Sequence, residues 1–341
     1  MRAVPPRQRL ALAMLCGFVC AWATLRAFGV FSPHVDVLQL WGAARAVLNG
    51  QDPYQIVGPG LEFEWPWPLL YPLPAVLVAL PLAPFTAVAA TTIFGGVAGA
   101  VFAWALMEHG YPPLAGFFSA ALMAAVRAGQ WSPLLAGAMV APVIGVLFIC
   151  KPTVGLAYFI ARPSWWAVGG GAVLALVSFA VAPTWVAEWL AAIKQNAEMW
   201  YPDTSYRPII TEPGGVFALA CLLRWRRYEA RLVAAIASVP LTPMPYEVVA
   251  LFLVPRTAGE AAALSAASWA VQFWLDHAIP SIPTIGGRYD YTAQVMAATM
   301  YPLATLMVLR RSNEGALPPW LEERIAGWPR WIRGRAVTAT A

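Results

Sequence analysis

The strongest constraint on the fold of this chain is a series of long apolar runs separated by few charged residues. Eight runs approach the length of a membrane span, at about 10–30, 69–83, 85–107, 112–126, 132–150, 164–183, 258–275 and 290–309. A helix needs roughly 20 apolar residues to cross the hydrocarbon core of a bilayer. Charged residues make up 11% of the chain, whereas soluble domains carry roughly 25%. The sequence therefore predicts an all-α, polytopic transmembrane bundle rather than a soluble domain.

Four shorter apolar segments lie near 152–161, 214–223, 230–241 and 244–255. Segments of this length predict broken or re-entrant helices that are enclosed by the bundle. Together with the long runs, they predict about ten to twelve spans. We expect residues 1–312 to form the transmembrane bundle and residues 313–341 to form a tail.

The arginines predict which ends of the spans face the cytoplasm, because basic residues concentrate in cytoplasmic loops. They cluster at Arg2, Arg7, Arg9, Arg224, Arg226, Arg227, Arg231, Arg310 and Arg311. Both termini are therefore predicted to be cytoplasmic in a multi-pass protein of the cell membrane. The composition, rich in alanine, glycine, proline and tryptophan, indicates a bacterial inner membrane. A cleavable signal peptide ending at Ala21-Trp22-Ala23 is an alternative for the first run, but the many later spans favour an uncleaved first helix.

The tail alternates arginine with tryptophan, at Trp320, Arg324, Trp328, Arg330, Trp331, Arg333 and Arg335. This mixture is typical of a helix that lies in the membrane interface. An ordinary membrane anchor and a site for lipid phosphate groups both fit the pattern.

Two polar segments are predicted to lie on the non-cytoplasmic side, because acidic residues outnumber basic ones in them. The first loop, 31–68, holds Asp36, Asp52, Glu62 and Glu64 against Arg45, and the second, 184–213, holds Glu188, Glu198, Asp203 and Glu212 against Lys194 and Arg207. Within the first loop, the apolar spacing from Val35 to Leu48 predicts an amphipathic helix on the membrane surface. Asn49-Gly50 is a suitable end for that helix. The aromatic stretch 63–68 that follows fits either a sugar-binding surface or a membrane interface.

Asp36 and Lys151 each have two interpretations. Asp36 precedes the amphipathic helix, so it either caps the helix or acts as a general base whose pKa is raised by partial desolvation. Lys151 lies between two apolar runs, where an ionisable residue indicates a functional site. It either binds a phosphate or extends to the interface without a function.

Other kinds of chemistry find little support in the sequence. Cys16, Cys20, Cys150 and Cys221 lie in or beside apolar runs, as expected for small buried residues. His34, His109 and His277 show no spacing typical of metal ligands. No phosphate-binding loop or hydrolase motif occurs in a suitable context. We therefore expect no cofactor and no nucleic-acid partner, and the sequence indicates no metal ligands, although it leaves the use of a metal open.

Four stretches together resemble glycosyltransferase family 87. They are VDVLQLWGAARAVLNGQDPY, WPLLYPLPAVLVALPLAPF, AGQWSPLL and CKPTVGL, in the first half of the chain. The family pattern is an aspartate, an Ala-Ala-containing helix, a Gly-x-x-Pro-Tyr turn, a Tyr-Pro-x-Pro entry, a Gly-Gln pair and a Lys-Pro pair. The family includes polyprenyl-phosphate-mannose-dependent mannosyltransferases and belongs to the GT-C superfamily of membrane glycosyltransferases. The second half of the chain resembles it only in being apolar and helical.

The resemblance implies sugar transfer from a polyprenyl phosphate to a lipid-linked or glycan acceptor by a single inverting displacement. It implies that Asp36 deprotonates the acceptor, that Asp52, Tyr54 and Tyr71 shape the site, and that Gln130 and Lys151 contact the donor. A phosphate leaving group also needs a nearby cation, which Lys151, Arg207 or Arg288 could supply. The family often carries paired acids in the first loop, whereas Asp36 stands alone here.

The predicted spans also separate two of these candidates. Counting one span per run places Gln130 on the cytoplasmic side and Lys151 near the outer side. A lipid transporter or flippase and a non-catalytic relative of the family remain as alternative functions. The lack of similarity between the two halves of the chain argues against a transporter built from repeats.

Overall fold

The computed structural model describes residues 4–28, 35–200, 207–315, 317 and 319–336. The α-helices are α1 (Pro6–Ala27), α2 (Val37–Leu48), α3 (Pro53–Ile56), α4 (Leu73–Ala79), α5 (Ala87–Leu106), α6 (Ala120–Arg127), α7 (Ser132–Val140), α8 (Pro152–Ala161), α9 (Trp165–Val181), α10 (Trp185–Trp200), α11 (Tyr228–Ser238), α12 (Ala258–Ala278), α13 (Ile285–Ala298), α14 (Met300–Leu309), α15 (Pro319–Arg324) and α16 (Arg330–Arg333). The 3-10 helices are Leu80–Leu82, Met107–His109, Pro112–Phe118, Pro142–Cys150, Ile209–Thr211, Gly215–Arg224, Pro245–Leu253 and Ile279–Ser281. Two short strands, β1 (Val57–Gly58) and β2 (Phe63–Glu64), pair in parallel. The described chain is thus a helical fold with very little sheet.

Three helical segments among the described residues are long and apolar enough to cross a membrane. They are Pro6–Ala27, Ala87–His109 and Ile285–Leu309. A fourth candidate is the pair formed by α9 and α10, which bends by 92° at its break. These segments are consistent with a membrane protein, but they are fewer than the ten to twelve predicted spans. Of the remaining apolar runs, 258–275 forms α12, which is 21 residues long but is not among these candidates, and the others form shorter α-helices and 3-10 helices.

The helices α1 and α5 pack against each other in opposite directions. Arg9, near the start of α1, donates from Nε and a terminal nitrogen to the carbonyl of Trp104, near the end of α5, at 2.9 and 2.7 Å. Thr24, near the end of α1, lies against Gly95 in the first half of α5. The end of α1 and the start of α5 therefore lie at one end of the bundle, which we call the Asp36 end. The opposite end, where α1 begins, is called the Arg9 end.

The segment 69–83 does not cross the bundle as predicted. It connects two helices whose adjoining ends both lie at the Asp36 end. Its helix α4 packs on α2, and the indole Nε1 of Trp41 in α2 donates to the carbonyl of Phe85 at 3.0 Å. Pro72, Pro74 and Pro81 lack the backbone N–H that a continuous helix requires, so this apolar run forms only a short helix.

The run 132–150, predicted as one span, is a helical hairpin. Its first arm is α7 and its second is the 3-10 helix Pro142–Cys150, with Ala141 between them outside helical geometry at φ −105°, ψ 85°. A residue before proline avoids the α conformation, which explains the break. Ser132 at the start of the hairpin and Lys151 just after it contact the same carboxylate, that of Glu247. The prediction that Gln130 and Lys151 lie on opposite sides is therefore wrong.

The predicted helix in the first loop is present as α2 and ends at Asn49, followed by Gly50 at φ +70°. One of its faces packs into the bundle, whereas Arg45 and Leu48 are exposed. Its residues Val37, Leu40, Ala43 and Ala44 are almost completely buried. The predicted start of this loop, residues 31–34, and residues 201–206 of the second loop lie outside the described residues.

The tail packs on the Arg9 end of the bundle. The guanidinium of Arg226, 1% exposed, binds both carboxylate oxygens of Glu322 at 2.6 Å. Trp225 donates from Nε1 to the carbonyl of Ile332 at 2.7 Å. The tail forms two short helices, α15 and α16, instead of the single interfacial helix that the sequence predicts. Trp331, in α16, is 76% exposed.

Candidate active site

The carboxylate of Asp36 is held by the turn that joins α6 to α7. It accepts a hydrogen bond from Nε2 of Gln130, and the backbone N–H of Asp36 donates to the carbonyl of Ala128 at 2.9 Å. Gly129, at φ +62°, makes this turn and lies against Val35. A side chain at this glycine would be strained.

The capping interpretation of Asp36 is wrong. Asp36 has helical dihedrals of φ −52° and ψ −33°, and its side chain makes no capping bond to α2. Its carboxylate is directed instead toward an element more than 90 residues further along the chain. The interpretation of Asp36 as a general base stays a prediction.

A second carboxylate, Glu247, lies beside the first and was missed by the sequence analysis. It belongs to the 3-10 helix Pro245–Leu253, and its side chain is 2% exposed. It accepts a hydrogen bond from Oγ of Ser132 at 2.9 Å and forms an ion pair with Nζ of Lys151. The signal was present in the sequence, because an acid inside the apolar segment 244–255 indicates a functional site by the same rule that singled out Lys151.

The pKa of Asp36 is set mainly by burial and is adjusted by the charges and the hydrogen bond of its neighbours. Burial raises this pKa to about 6, the positive charge of Lys151 and the hydrogen bond from Gln130 oppose the rise, and the negative charge of Glu247 adds to it. The residue as a whole is partly exposed, but its carboxylate is enclosed by protein atoms. Such a group is a stronger base than an ordinary aspartate and is still ionised at neutral pH.

Two tyrosines complete the cluster. The phenol of Tyr71 lies close enough to Asp36 and Glu247 to feel both charges, and with burial they raise its pKa well above the usual value. Tyr246, next to Glu247 in the chain, also interacts with both carboxylates, and Nζ of Lys151 lies 5.8 Å from the centre of its ring. The tyrosines therefore remain protonated and can act as hydrogen-bond donors near neutral pH. We call Asp36, Tyr71, Gln130, Ser132, Lys151, Tyr246 and Glu247 the carboxylate cluster.

Asp52 and Tyr54, two further predicted site residues, lie beside this cluster and support it. Oδ1 of Asp52 accepts from the backbone N–H of Tyr54 at 2.9 Å, so Asp52 caps α3. The hydroxyl of Tyr54 donates to the carbonyl of Tyr71 at 3.0 Å. These contacts hold the loop that positions Tyr71.

Arg207 and Arg288, predicted as further cations for the donor, make their contacts elsewhere. Arg207 is exposed and acts electrostatically on Glu212. Arg288 donates from Nε to the carbonyl of Ile282 at 2.8 Å, next to the start of α13. Lys151 is thus the predicted cation that the structure brings to Asp36.

The aromatic stretch 63–68 packs on α2. The ring of Phe63 lies against Gly42 and stacks on Trp65, with centroids 6.0 Å apart, and Trp65 is 3% exposed. Trp67 meets Trp65 edge to face at 5.8 Å. Trp65 is therefore part of the protein core rather than of an exposed aromatic surface.

No group of three or more histidine, cysteine, aspartate or glutamate side chains suited to a metal ion occurs in the described part of the chain. The four cysteines are free. Comparisons of the chain with protein-family models, with curated proteins and with solved structures found no match. The carboxylate cluster is therefore the feature of the protein that bears on its function.

Proposed function

We propose that the protein is a membrane glycosyltransferase that moves a sugar from a polyprenyl phosphate to a hydroxyl of a lipid-linked or glycan acceptor. The reaction occurs at the Asp36 end, on the non-cytoplasmic side of the membrane. The observation that carries the proposal is the convergence of Asp36, Gln130 and Lys151 from three separate sequence motifs. These motifs are the ones that resemble glycosyltransferase family 87.

Asp36 has the properties that a general base for this reaction needs. Its carboxylate removes the proton of the acceptor hydroxyl while the acceptor oxygen attacks the anomeric carbon of the donor. The bond from that carbon to the phosphate oxygen breaks, and the polyprenyl phosphate leaves with the bonding electrons. Asp36 holds the transferred proton.

Lys151 supplies the positive charge beside this base. A cation placed where negative charge develops stabilises the transition state, and the ammonium of Lys151 acts on the carboxylate of Asp36. Its partner Glu247 fixes the position of the ammonium. Mannose is the first donor sugar to test, because the resembling family includes mannosyltransferases.

The test is sugar transfer by purified protein in nanodiscs with radiolabelled polyprenyl-phosphate sugars. We expect the variant Asp36→Asn to lose transfer by roughly 10²–10⁴-fold, the usual contribution of a general base. The matched control is Glu62→Gln, which removes an exposed acid of the same loop that accepts a hydrogen bond from Nε2 of Gln51 at 3.3 Å. It should keep most of the activity.

Equal loss in both variants would contradict the assignment of Asp36 as the base. Absence of transfer by the wild type with every donor would contradict the proposal as a whole. In that case, movement of a fluorescent polyprenyl phosphate across vesicles that contain the protein would identify a flippase.

A further inference from the structure

We propose that Glu247 is a positioning residue that orients the ammonium of Lys151 beside the carboxylate of Asp36. This inference rests on the proposed function insofar as Asp36 is the base. It concerns a residue that the family resemblance did not indicate.

The contacts of Glu247 place it at the centre of the carboxylate cluster. One carboxylate oxygen binds Nζ of Lys151 and the other accepts from Oγ of Ser132. Its charge is felt by Asp36 and by four buried or partly buried tyrosines, Tyr71, Tyr158, Tyr246 and Tyr301. The 3-10 helix that carries it packs against α6, α7, α11, α12 and α14.

Both ends of the helical hairpin 132–150 are fixed by this one carboxylate. Ser132 is the first residue of α7, and Lys151 follows the second arm of the hairpin. Without Glu247, the ammonium of Lys151 would lose the carboxylate with which it forms an ion pair. A long, flexible lysine side chain is held in one rotamer only when a partner fixes its end.

Glu247 also acts on Asp36 directly, because its negative charge disfavours a second negative charge there. Its ion pair with Lys151 holds the ammonium that opposes this effect. Among the described residues, Gln130 donates to Asp36, and the phenols of Tyr71 and Tyr246 lie close enough to feel its charge. Loss of the charge of Glu247 should therefore make Asp36 a weaker base.

The expected result for Glu247→Gln is a fall of about one pH unit in the titration midpoint of Asp36, as for a carboxylate that loses a like charge nearby. Glutamine keeps the size and an oxygen acceptor. The acid side of the pH profile for transfer should move down by the same amount, and kcat should fall more than KM rises. A residue with a merely structural role would not move the midpoint.

The matched control is Glu229→Gln at the Arg9 end of the bundle. Glu229 is also a buried glutamate, 1% exposed, and is ion-paired with Arg256 and Arg311. The two variants therefore remove the same charge from equally buried ion pairs. Only Glu247→Gln should change Asp36.

The midpoint of Asp36 is measured by pH-difference infrared spectroscopy of the purified protein, with the carboxylic acid band identified by its loss in Asp36→Asn. An unchanged midpoint in folded Glu247→Gln, or an equal shift in Glu229→Gln, would overturn the inference. Should Glu247→Gln not fold, Lys151→Met tests the same coupling, because removal of the cation must raise the midpoint. No rise in that variant would again overturn it.

The two proposals fail separately. A shifted midpoint in a protein without transfer activity would retain the coupling and reject the proposed function. Transfer that depends on Asp36, with an unshifted midpoint in Glu247→Gln, would retain the function and reject the role of Glu247.

Discussion

Asp36 shows how a single residue changes character with its neighbours. A carboxylate that loses its contact with water keeps its charge only where donors and cations replace that water. Gln130 and Lys151 do so in part, and Glu247 opposes them. The balance leaves the pKa at about 6, between an ordinary aspartate and a group that is neutral at physiological pH.

The pH dependence of transfer follows from this pKa. Because the base must be deprotonated and its pKa is raised, activity should be lost as the pH falls through about 6, rather than near 4. Below that value kcat/KM should decrease about tenfold per pH unit, and above it the rate should be level. Initial rates at fixed ionic strength between pH 4.5 and 8 measure this, and a level profile down to pH 4.5 would contradict it.

At the scale of elements, the pairing of α1 with α5 depends on small residues at the contact. A Cβ on Gly17 would lie 2.7 Å from the carbonyl oxygen of Gly96 and 2.8 Å from the Cβ of Ala100. Close approach of membrane helices through glycine and alanine is a general means of helix association. The contact between α1 and α5 also restricts the position of Asp36, because Asp36 lies in the part of the chain, residues 28–86, that connects these two helices.

We therefore expect Gly17→Ala to destabilise the protein, by roughly 1–3 kcal/mol for an overpacked contact. Gly169→Ala is the control, since Gly169 is also within a helix, α9, but a Cβ there meets nothing within 4 Å. The control should be neutral or slightly stabilising, because alanine favours helix by about 1 kcal/mol over glycine. Thermal unfolding in detergent compares the two, and equal melting temperatures would contradict the packing argument.

The elements also show which parts of this fold a sequence can predict. The positions of α1, α2 and α5 follow from apolar spacing and from the stop at Asn49-Gly50. The runs 69–83 and 132–150 are equally apolar, yet they fold as short helices, because apolarity alone does not distinguish a segment that contacts lipid from one that is enclosed by protein. The prolines within both runs are the sequence feature that indicates these breaks in the helices.

The residues of the carboxylate cluster could be predicted from the sequence only in part. The order of the motifs in the sequence indicates Asp36, Gln130 and Lys151 as site residues. Their proximity depends on the helical hairpin 132–150, which the count of spans does not predict. Glu247 belongs to no motif, and only its place inside an apolar segment could have indicated it.

At the scale of the whole molecule, the buried ion pairs of the described residues lie at two ends of the bundle. The carboxylate cluster lies at the Asp36 end. At the Arg9 end, Glu229 and Glu260 bind Arg256 and Arg311, and the tail is attached through Arg226. The arginines predict that the Arg9 end, with the tail, faces the cytoplasm.

The attachment of the tail should depend on one ion pair and should be independent of catalysis. Glu322→Gln removes the charge that faces the buried guanidinium of Arg226, and a buried charge without its partner is strongly unfavourable. The tail should therefore detach, and trypsin should cleave at its exposed residues Arg324 and Arg330 several-fold faster in nanodiscs. The control is Glu323→Gln, which changes the exposed neighbouring acid.

Sugar transfer should be unchanged in both variants, because the tail and the carboxylate cluster lie at opposite ends of the bundle. Equal cleavage of Glu322→Gln and Glu323→Gln would show that the contacts of Trp225 and the backbone of residues 313–315 hold the tail without the ion pair. A loss of transfer in Glu322→Gln alone would show instead that the Arg9 end is coupled to Asp36 through the length of the bundle.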